Sequence, residues 1–307
     1  MYTDNRHLVV VAGPTAIGKT ALAVNLAKAF QTEVISADSR QIYRDMNIGT
    51  AKPTTEEMDG VPHHFVDFLT LTTDYSAGAF ERQALLKLDE LFEQHEVVVM
   101  AGGSGLYVNA VCHGLDFVPQ RDDALRAHLV AQFEKEGIEP LQKQLEKLDP
   151  EYYEQVDRNN PHRLIRALEV NISSGQSYMS FRQSLRQERP FNIIKIGLNT
   201  DRKVLYDRIN RRVDLMVEAG LVNEALYLYQ HREYNALNTV GYKELFVHFD
   251  GDATLDEAID QIKTSTRRFA KRQLTWFRKD EEIKWFEPGQ DEEITAYIRE
   301  QVASNNA

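Results

Sequence analysis

The octapeptide GPTAIGKT, Gly13 to Thr20, fits the pattern G-x-x-x-x-G-K-[ST] and directly follows the apolar run LVVVA. In a strand-loop-helix setting, the backbone N–H groups of Gly13, Pro14's successors Thr15, Ala16 and Ile17, and Gly18 converge on phosphate oxygens, helped by the helix N-terminus. Lys19 adds a positive charge, and the Thr20 hydroxyl is a candidate ligand for Mg²⁺. The stretch therefore predicts nucleotide or diphosphate binding. Most chains with such a loop cleave ATP or a related triphosphate, or pass on its terminal phosphoryl group, so ATP binding is one expectation.

Three further groups of residues could do chemistry beside it. The segment SADSRQIYRDMNIGTAKP, 36–53, opens with Asp38 just past a short apolar run. A carboxylate there could ligate Mg²⁺ or take a proton from an attacking group; it could equally make an Asx turn with Ser39 or Arg40. The run EVVVMAGG continues into GGSGLY, 102–107, with no Walker B acid at its end. Ser104 thus follows two glycines that allow close backbone approach to a ligand. Arg208 and Arg212 lie four apart in a helical pattern and so share a face, where arginines can clamp a pyrophosphate. His63 and His64 are adjacent, so their side chains diverge, which favours loop structure or substrate contact over metal ligation.

These residues need a scaffold that brings strand ends together. Residues 8–12, 33–37, 96–103 and 192–198 read as short buried strands, alternating with amphipathic helices such as SAGAFERQALLKLDELFEQH. DRKVLYDRINRRVDLMVEAG reads as a helix ended by Gly220. Alternation of this kind implies a parallel sheet covered on both faces, an α/β fold with a P-loop NTPase-like core. Ligands in such folds sit beyond the carboxyl ends of the strands, where Asp38 and Ser104 would also emerge. The stretch 116–190 is helical in pattern without a convincing strand. It is expected to be a helical insertion into a core made of 1–115 and 191–307. A long final helix is expected at about 255–279.

Composition narrows the class. The net charge of −11 argues against general affinity for nucleic acid, but the charge is uneven. Between Arg158 and Arg212 there are 12 Lys/Arg against 4 Asp/Glu, and between Lys263 and Lys279 there are 7 Lys/Arg and no acid. Positive charge gathered in two segments suits a polyanionic ligand. No apolar run approaches the roughly 20 residues that cross a bilayer, and the N-terminal residues lack the pattern of a signal peptide. The single cysteine, Cys112, excludes an internal disulfide and a multi-cysteine zinc site, and is expected to pack as a small hydrophobe. A cytoplasmic protein without membrane attachment is expected. On these grounds alone, a P-loop kinase and a nucleotide-gated RNA-binding protein both remain open.

Taken together, GPTAIGKT, SADSRQIYRDMNIGTAKP, VPHH, GGSGLY, NPHRLIRALEV, TVGYKE and KRQLTWFR resemble, in order and spacing, the bacterial tRNA dimethylallyltransferases. The resemblance spans about residues 9 to 280. It implies transfer of a dimethylallyl group from its diphosphate to the exocyclic amine of the adenosine 3′ of the anticodon, with Mg²⁺ and pyrophosphate release. By that resemblance the phosphate loop grips the donor's diphosphate, and Asp38 is general base or orients the amine. Ser104, where the family usually has threonine, contacts the reacting centre, while Lys19, Arg208 and Arg212 stabilise the leaving diphosphate. Contacts to the tRNA anticodon stem-loop are implied at Asp38, Ser39, Arg40, Gln41, Ser104 and Arg126. Others are implied at His162, Arg163, Leu164, Ile165 and Arg166, and at Thr239, Val240, Gly241, Tyr242, Lys243 and Glu244. A last set comprises Lys271, Arg272, Gln273, Leu274, Thr275, Trp276, Phe277 and Arg278. A monomer is expected.

Overall fold

The structure, a computed structural model, describes residues 5–116, 119, 122–182 and 186–306. They form two compact units, one of 1–112 with 188–307 and one of 113–187.

In the larger unit, β1 (His7–Ala12) leads through the phosphate loop into α1 (Lys19–Ala29). β2 (Val34–Ser36), α2 (Thr55–Met58), β3 (His63–His64), α3 (Ala77–Leu91), β4 (Val97–Gly102) and α4 (Gly105–His113) follow. The smaller unit contributes α5 (Asp123–Glu136), α6 (Glu139–Leu148), α7 (Pro150–Gln155), α8 (Pro161–Ser174) and α9 (Tyr178–Phe181). The chain then returns to the larger unit through β5 (Asn192–Leu198), α10 (Arg202–Glu218), α11 (Leu221–Leu228), α12 (Tyr242–Phe249), α13 (Leu255–Phe277), β6 (Lys284–Phe286) and α14 (Asp291–Asn305).

The six strands form one parallel sheet in the order β3-β2-β4-β1-β5-β6. Along β1 the pleat sends Leu8 and Val10 to one face and Val9 and Val11 to the other. Val9 and Val11 pack with α1 and α14 residues such as Leu22, Leu26 and Ile294, whereas Leu8 and Val10 pack with Phe80, Leu88 and Val108 of α3 and α4. Both faces are covered, so the strand is apolar from Leu8 to Ala12 instead of alternating. Each such buried aliphatic contributes about 1.5–3 kcal/mol. Cys112 is buried in the second of these clusters.

A third cluster in the same unit joins Ile42, Tyr43 and Met46 to Leu221, Leu237, Tyr242 and Leu245. It pins the segment that follows Asp38 to the helices after β5. The smaller unit has its own core of Leu129, Leu141, Leu145, Leu164 and Leu168.

Two elements differ from the sequence reading. His63 and His64 do not lie in a loop; they form β3, which pairs with Val34 and Ile35, and His64 Nε2 lies 2.5 Å from Glu33 Oε2. A two-residue strand is too short to leave a periodic signal. The helix at 255–277 is not the last, because β6 extends the sheet edge and α14 packs against α1 and β5.

Candidate active site

Three loops leave the carboxyl ends of adjacent strands β1, β2 and β4, all within the larger unit. The first is the phosphate loop. Gly13 has φ +150° and lies so close to β5 that a Cβ would stand 2.8 Å from the Leu198 carbonyl, so glycine is required there. Ala16 holds φ +63°, a left-handed conformation that L-residues adopt at a cost of about 1–2 kcal/mol. Gly18, at φ +108°, precedes α1 without a side-chain cap, so no cap side chain satisfies the first N–H groups of the helix.

Cations surround this loop. Lys19 Nζ donates to the Pro14 carbonyl at 2.7 Å. Desolvation, and next the nearby Arg212, bring the Lys19 ammonium down to about 7, against the opposing pull of Asp38. From α10, Arg208 donates to the Ile17 carbonyl at 3.2 Å and Arg212 to the Thr15 hydroxyl at 3.2 Å. Both arginines of the pair therefore reach the loop. Burial lowers the Arg212 guanidinium from its usual value, while Asp38 raises it.

The second loop begins at Asp38. Its Oδ1 accepts from the backbone N–H of Arg40 at 2.8 Å and of Gln41 at 3.3 Å, which is an Asx turn. Turn-building therefore occupies one oxygen, and Oδ2 makes no hydrogen bond among the described residues. The third loop supplies Ser104, whose Oγ accepts from the Ser39 N–H at 3.0 Å and donates to the Ser39 hydroxyl at 3.2 Å. Backbone meets backbone here: a Cβ on Gly102 would lie 2.1 Å from the Ala37 carbonyl oxygen. The Asp38 loop and the Ser104 loop are thus fixed against each other. The assembly is a glycine-containing loop with three cations gathered at it, flanked by a carboxylate and a hydroxyl, with no acid at the end of β4.

A model of the IPP transferase family matches residues 41–280. The chain belongs to this family. Among IPP transferase relatives, a protein of Christiangramia forsetii named tRNA dimethylallyltransferase is 55% identical over 283 residues, covering 92% of this chain and 94% of that one. The tRNA dimethylallyltransferase 1 of Bacteroides fragilis is 50% identical, covering 96% and 98%. The solved structure of the full-length tRNA isopentenylpyrophosphate transferase from Bacillus halodurans is 41% identical, with a TM-score of 0.73 and 98% of each chain covered.

Within this IPP transferase, the positions expected to contact tRNA divide by burial. His162, Arg163, Lys243, Lys271, Arg272, Thr275 and Arg278 are exposed, and Trp276 is 42% exposed. Thr239, Val240, Ser39 and Leu274 are partly exposed. Leu164, Ile165, Tyr242, Gln273 and Phe277, which belong to the same expected set, are buried. Leu164 and Ile165 fill the smaller unit's core, and Phe277 fills the core beneath β4. Tyr242 is 0% exposed and donates its hydroxyl to Glu224 at 2.7 Å; burial and that carboxylate raise its pKa. Gln273 is 7% exposed and turned toward the phosphate loop.

Others of the set have internal partners. Arg40 donates to the Asn235 and Ala236 carbonyls, and Gln41 to those of Thr50 and Ala51. Glu244 accepts from the N–H of Gly241, capping α12. In the smaller unit, Arg126 and Arg166 share the fully buried carboxylate of Glu169 at 3.2 and 2.7 Å. Buried or half-buried ion pairs likewise hold Arg189 to Glu81 and Lys195 to Asp280 and Glu282, so part of the basic surplus between 158 and 212 is structural.

Sequence reasoning missed Glu224. Its carboxylate accepts from the backbone N–H groups of Asn47, Ile48 and Gly49 at 3.0, 2.8 and 2.8 Å, anchoring the segment after Asp38. Gly49 must be glycine because the Tyr242 ring lies where its Cβ would be. A single glutamate on an amphipathic helix carries no signal for such a role.

Proposed function

We propose that the chain transfers a dimethylallyl group from dimethylallyl diphosphate to the exocyclic amine of the adenosine 3′-adjacent to the anticodon in tRNA. N6-isopentenyladenosine and pyrophosphate are the products. The observation that carries this reading is the pairing of a phosphate cradle holding three cations with a carboxylate and a hydroxyl on the neighbouring strand ends. Chemistry at carbon needs charge neutralisation at the diphosphate and a proton acceptor at the amine, and the site offers both.

The bond between the allylic carbon and the diphosphate oxygen breaks, and its electron pair leaves with the oxygen. Lys19, Arg208 and Arg212 meet that growing negative charge, together with the outward N–H groups of the loop. The amine's lone pair forms the new carbon–nitrogen bond. Its surplus proton passes to Oδ2 of Asp38, the oxygen outside the Asx turn. The Ser104 hydroxyl, tied to Ser39, orients the amine side. A magnesium ion suits the oxygen donors at hand: the Thr20 hydroxyl makes no other hydrogen bond among the described residues, and Asp38 brings a carboxylate close enough to raise the Lys19 pKa. When bound, it would add positive charge at the leaving diphosphate.

Exposed Lys271, Arg272 and Trp276 on α13 suit an RNA ligand, since cations take phosphates and an indole can stack on a splayed base. The adenine must leave its stack before its amine can react. No helix among the described residues is long and apolar enough to cross a membrane. We place the protein in the cytoplasm as a monomer.

Incubation with unmodified tRNA, Mg²⁺ and either dimethylallyl diphosphate labelled in the prenyl group or ATP labelled in its terminal phosphate tests the reading. Prenyl label in tRNA without ATP is the expected result. Phosphate label in an acceptor with no prenyl transfer would make the chain a kinase.

A further inference from the structure

Gln273 lies on α13 between the exposed Lys271 and Arg272 and the exposed Trp276, yet its own side chain is buried. Oε1 accepts the Thr15 N–H at 2.9 Å, and Nε2 donates to the Gly103 carbonyl at 3.0 Å. Only one orientation of the amide satisfies both bonds, because a backbone N–H needs an acceptor and a carbonyl needs a donor. Thr15 is the loop residue whose hydroxyl takes Arg212. Gly103 adjoins Ser104, and a Cβ there would stand 2.3 Å from Gln273 Nε2 and 3.7 Å from Lys19 Nζ. Three residues along the helix, Trp276 covers Gly105 in the same way, at 2.3 Å from the Cβ position. One face of α13 thus occupies the side-chain space of both glycines flanking Ser104.

From this geometry we infer that Gln273 is a positioning residue for the transfer reaction. Its amide sets the phosphate loop at Thr15 and the Ser104 loop at Gly103 in one register, so that the diphosphate and the acceptor amine meet at a fixed separation. The inference rests on the donor's diphosphate occupying the loop, as proposed above. Gln273 touches neither reacting group; it acts through Thr15 and Gly103. No other side chain hydrogen-bonds both loops among the described residues.

The test uses inorganic pyrophosphate with Mg²⁺, measured by calorimetry on the full chain, with Gln273→Glu and Gln273→Met. A protonated glutamic acid reproduces both bonds: its carbonyl accepts from Thr15 and its hydroxyl donates to Gly103. The ionised form cannot donate and sets its charge against the Gly103 carbonyl. Methionine fills the space and makes neither bond. Lys19 of α1, Arg212 of α10, Asp38 beyond β2, and Lys271 and Arg272 of α13 also bear on this position. They are shared with the wild type, as is the ionisation of pyrophosphate, and the uncharged methionine variant leaves their charges unaltered, so it gives the pH-independent reference for the glutamate variant.

Near neutral to basic pH, Gln273→Glu is expected to bind pyrophosphate roughly tenfold or more weakly than wild type, the scale of a buried donor or acceptor left without its partner. On acidification its ratio to wild type should approach unity. The Gln273→Met deficit should stay constant with pH, and tRNA affinity should remain within about twofold for both. Should the methionine variant fail to fold, the pH behaviour of the glutamate variant decides alone. Variants that match wild type, or a glutamate deficit that does not respond to pH, would overturn the positioning role. Wild-type protein that binds no pyrophosphate would instead overturn the functional reading, and the inference with it.

Discussion

Lys19 Nζ donates to the Pro14 carbonyl at 2.7 Å, so the cation of the phosphate loop is bonded to its own loop. Burial and Arg212 hold its ammonium at about 7. A diphosphate brought beside it favours the charged form, so binding above that pH must take up a proton. Pyrophosphate affinity is expected to fall as pH rises past about 7, with uptake of up to one proton near pH 8. Calorimetry in buffers of different ionisation enthalpy measures this; a binding heat that does not vary with buffer would refute it.

The same depressed pKa bears on stability. The unfolded chain holds the Lys19 proton up to its ordinary value near 10.5, whereas the folded chain releases it at about 7. The unfolded state therefore binds more protons in that window, and folding gains stability as pH rises through it. Lys19→Met is expected to stabilise the unliganded protein below about pH 7, with the advantage shrinking toward higher pH, while lowering turnover by about 10²–10³-fold. Urea titrations at several pH values, beside turnover assays, check both halves.

Asp38 combines a turn and a proposed base, and one substitution separates them. Asparagine keeps an acceptor oxygen for the Arg40 and Gln41 N–H groups but cannot take up the proton. Asp38→Asn is expected to slow prenyl transfer by about 10²–10⁴-fold with tRNA binding within a few-fold. Retention of more than about half the wild-type rate at saturating substrate would rule out the base assignment.

Lys271 and Arg272 are exposed on α13. Replacing both with alanine is expected to weaken tRNA binding and reduce the slope of log affinity against log salt by about 0.7–0.9 per lost contact. An unchanged slope would mean that these side chains face only solvent.

Glu224 holds three backbone N–H groups and the Tyr242 hydroxyl at once. Glu224→Ala is expected to destabilise the fold by about 2–4 kcal/mol, since charge-assisted bonds are lost and the buried phenol loses its acceptor. Chemical denaturation measures the loss, and a change under about 0.5 kcal/mol would mean that the 47–49 segment is held by other contacts.

Four of the six strands, β1, β2, β4 and β5, were readable because strands buried on both faces are short continuous apolar runs, as LVVVA and VVVMA are. The strand-loop-helix setting of GPTAIGKT was readable because its glycines, lysine and threonine recur at fixed spacing between an apolar run and a helical pattern. What the chain order could not disclose was direction. KRQLTWFR mixes two faces of one helix, and only packing shows that Gln273 and Phe277 are buried and that Trp276 lies part-exposed over Gly105, while Lys271 and Arg272 are exposed. The spacing of Ala270, Gln273 and Phe277 is that of a buried stripe, so helical periodicity held the signal that the motif as a whole obscured. Glu224 left no comparable trace, because three of its partners are backbone N–H groups far away in the chain and the fourth is a buried phenol.

The bond from Thr15 to Gln273 joins residues 258 positions apart. A ribosome adds about 5–20 residues each second, so roughly 13–50 seconds separate the appearance of the phosphate loop from that of the side chain that fixes it. Throughout that interval the nascent chain carries the loop sequence without the Gln273 side chain that bonds to Thr15 in the folded protein. If the loop holds the donor as proposed, its binding is expected only near the end of synthesis, and a polypeptide released before α13 would carry the glycine-rich signature without the bond from Gln273.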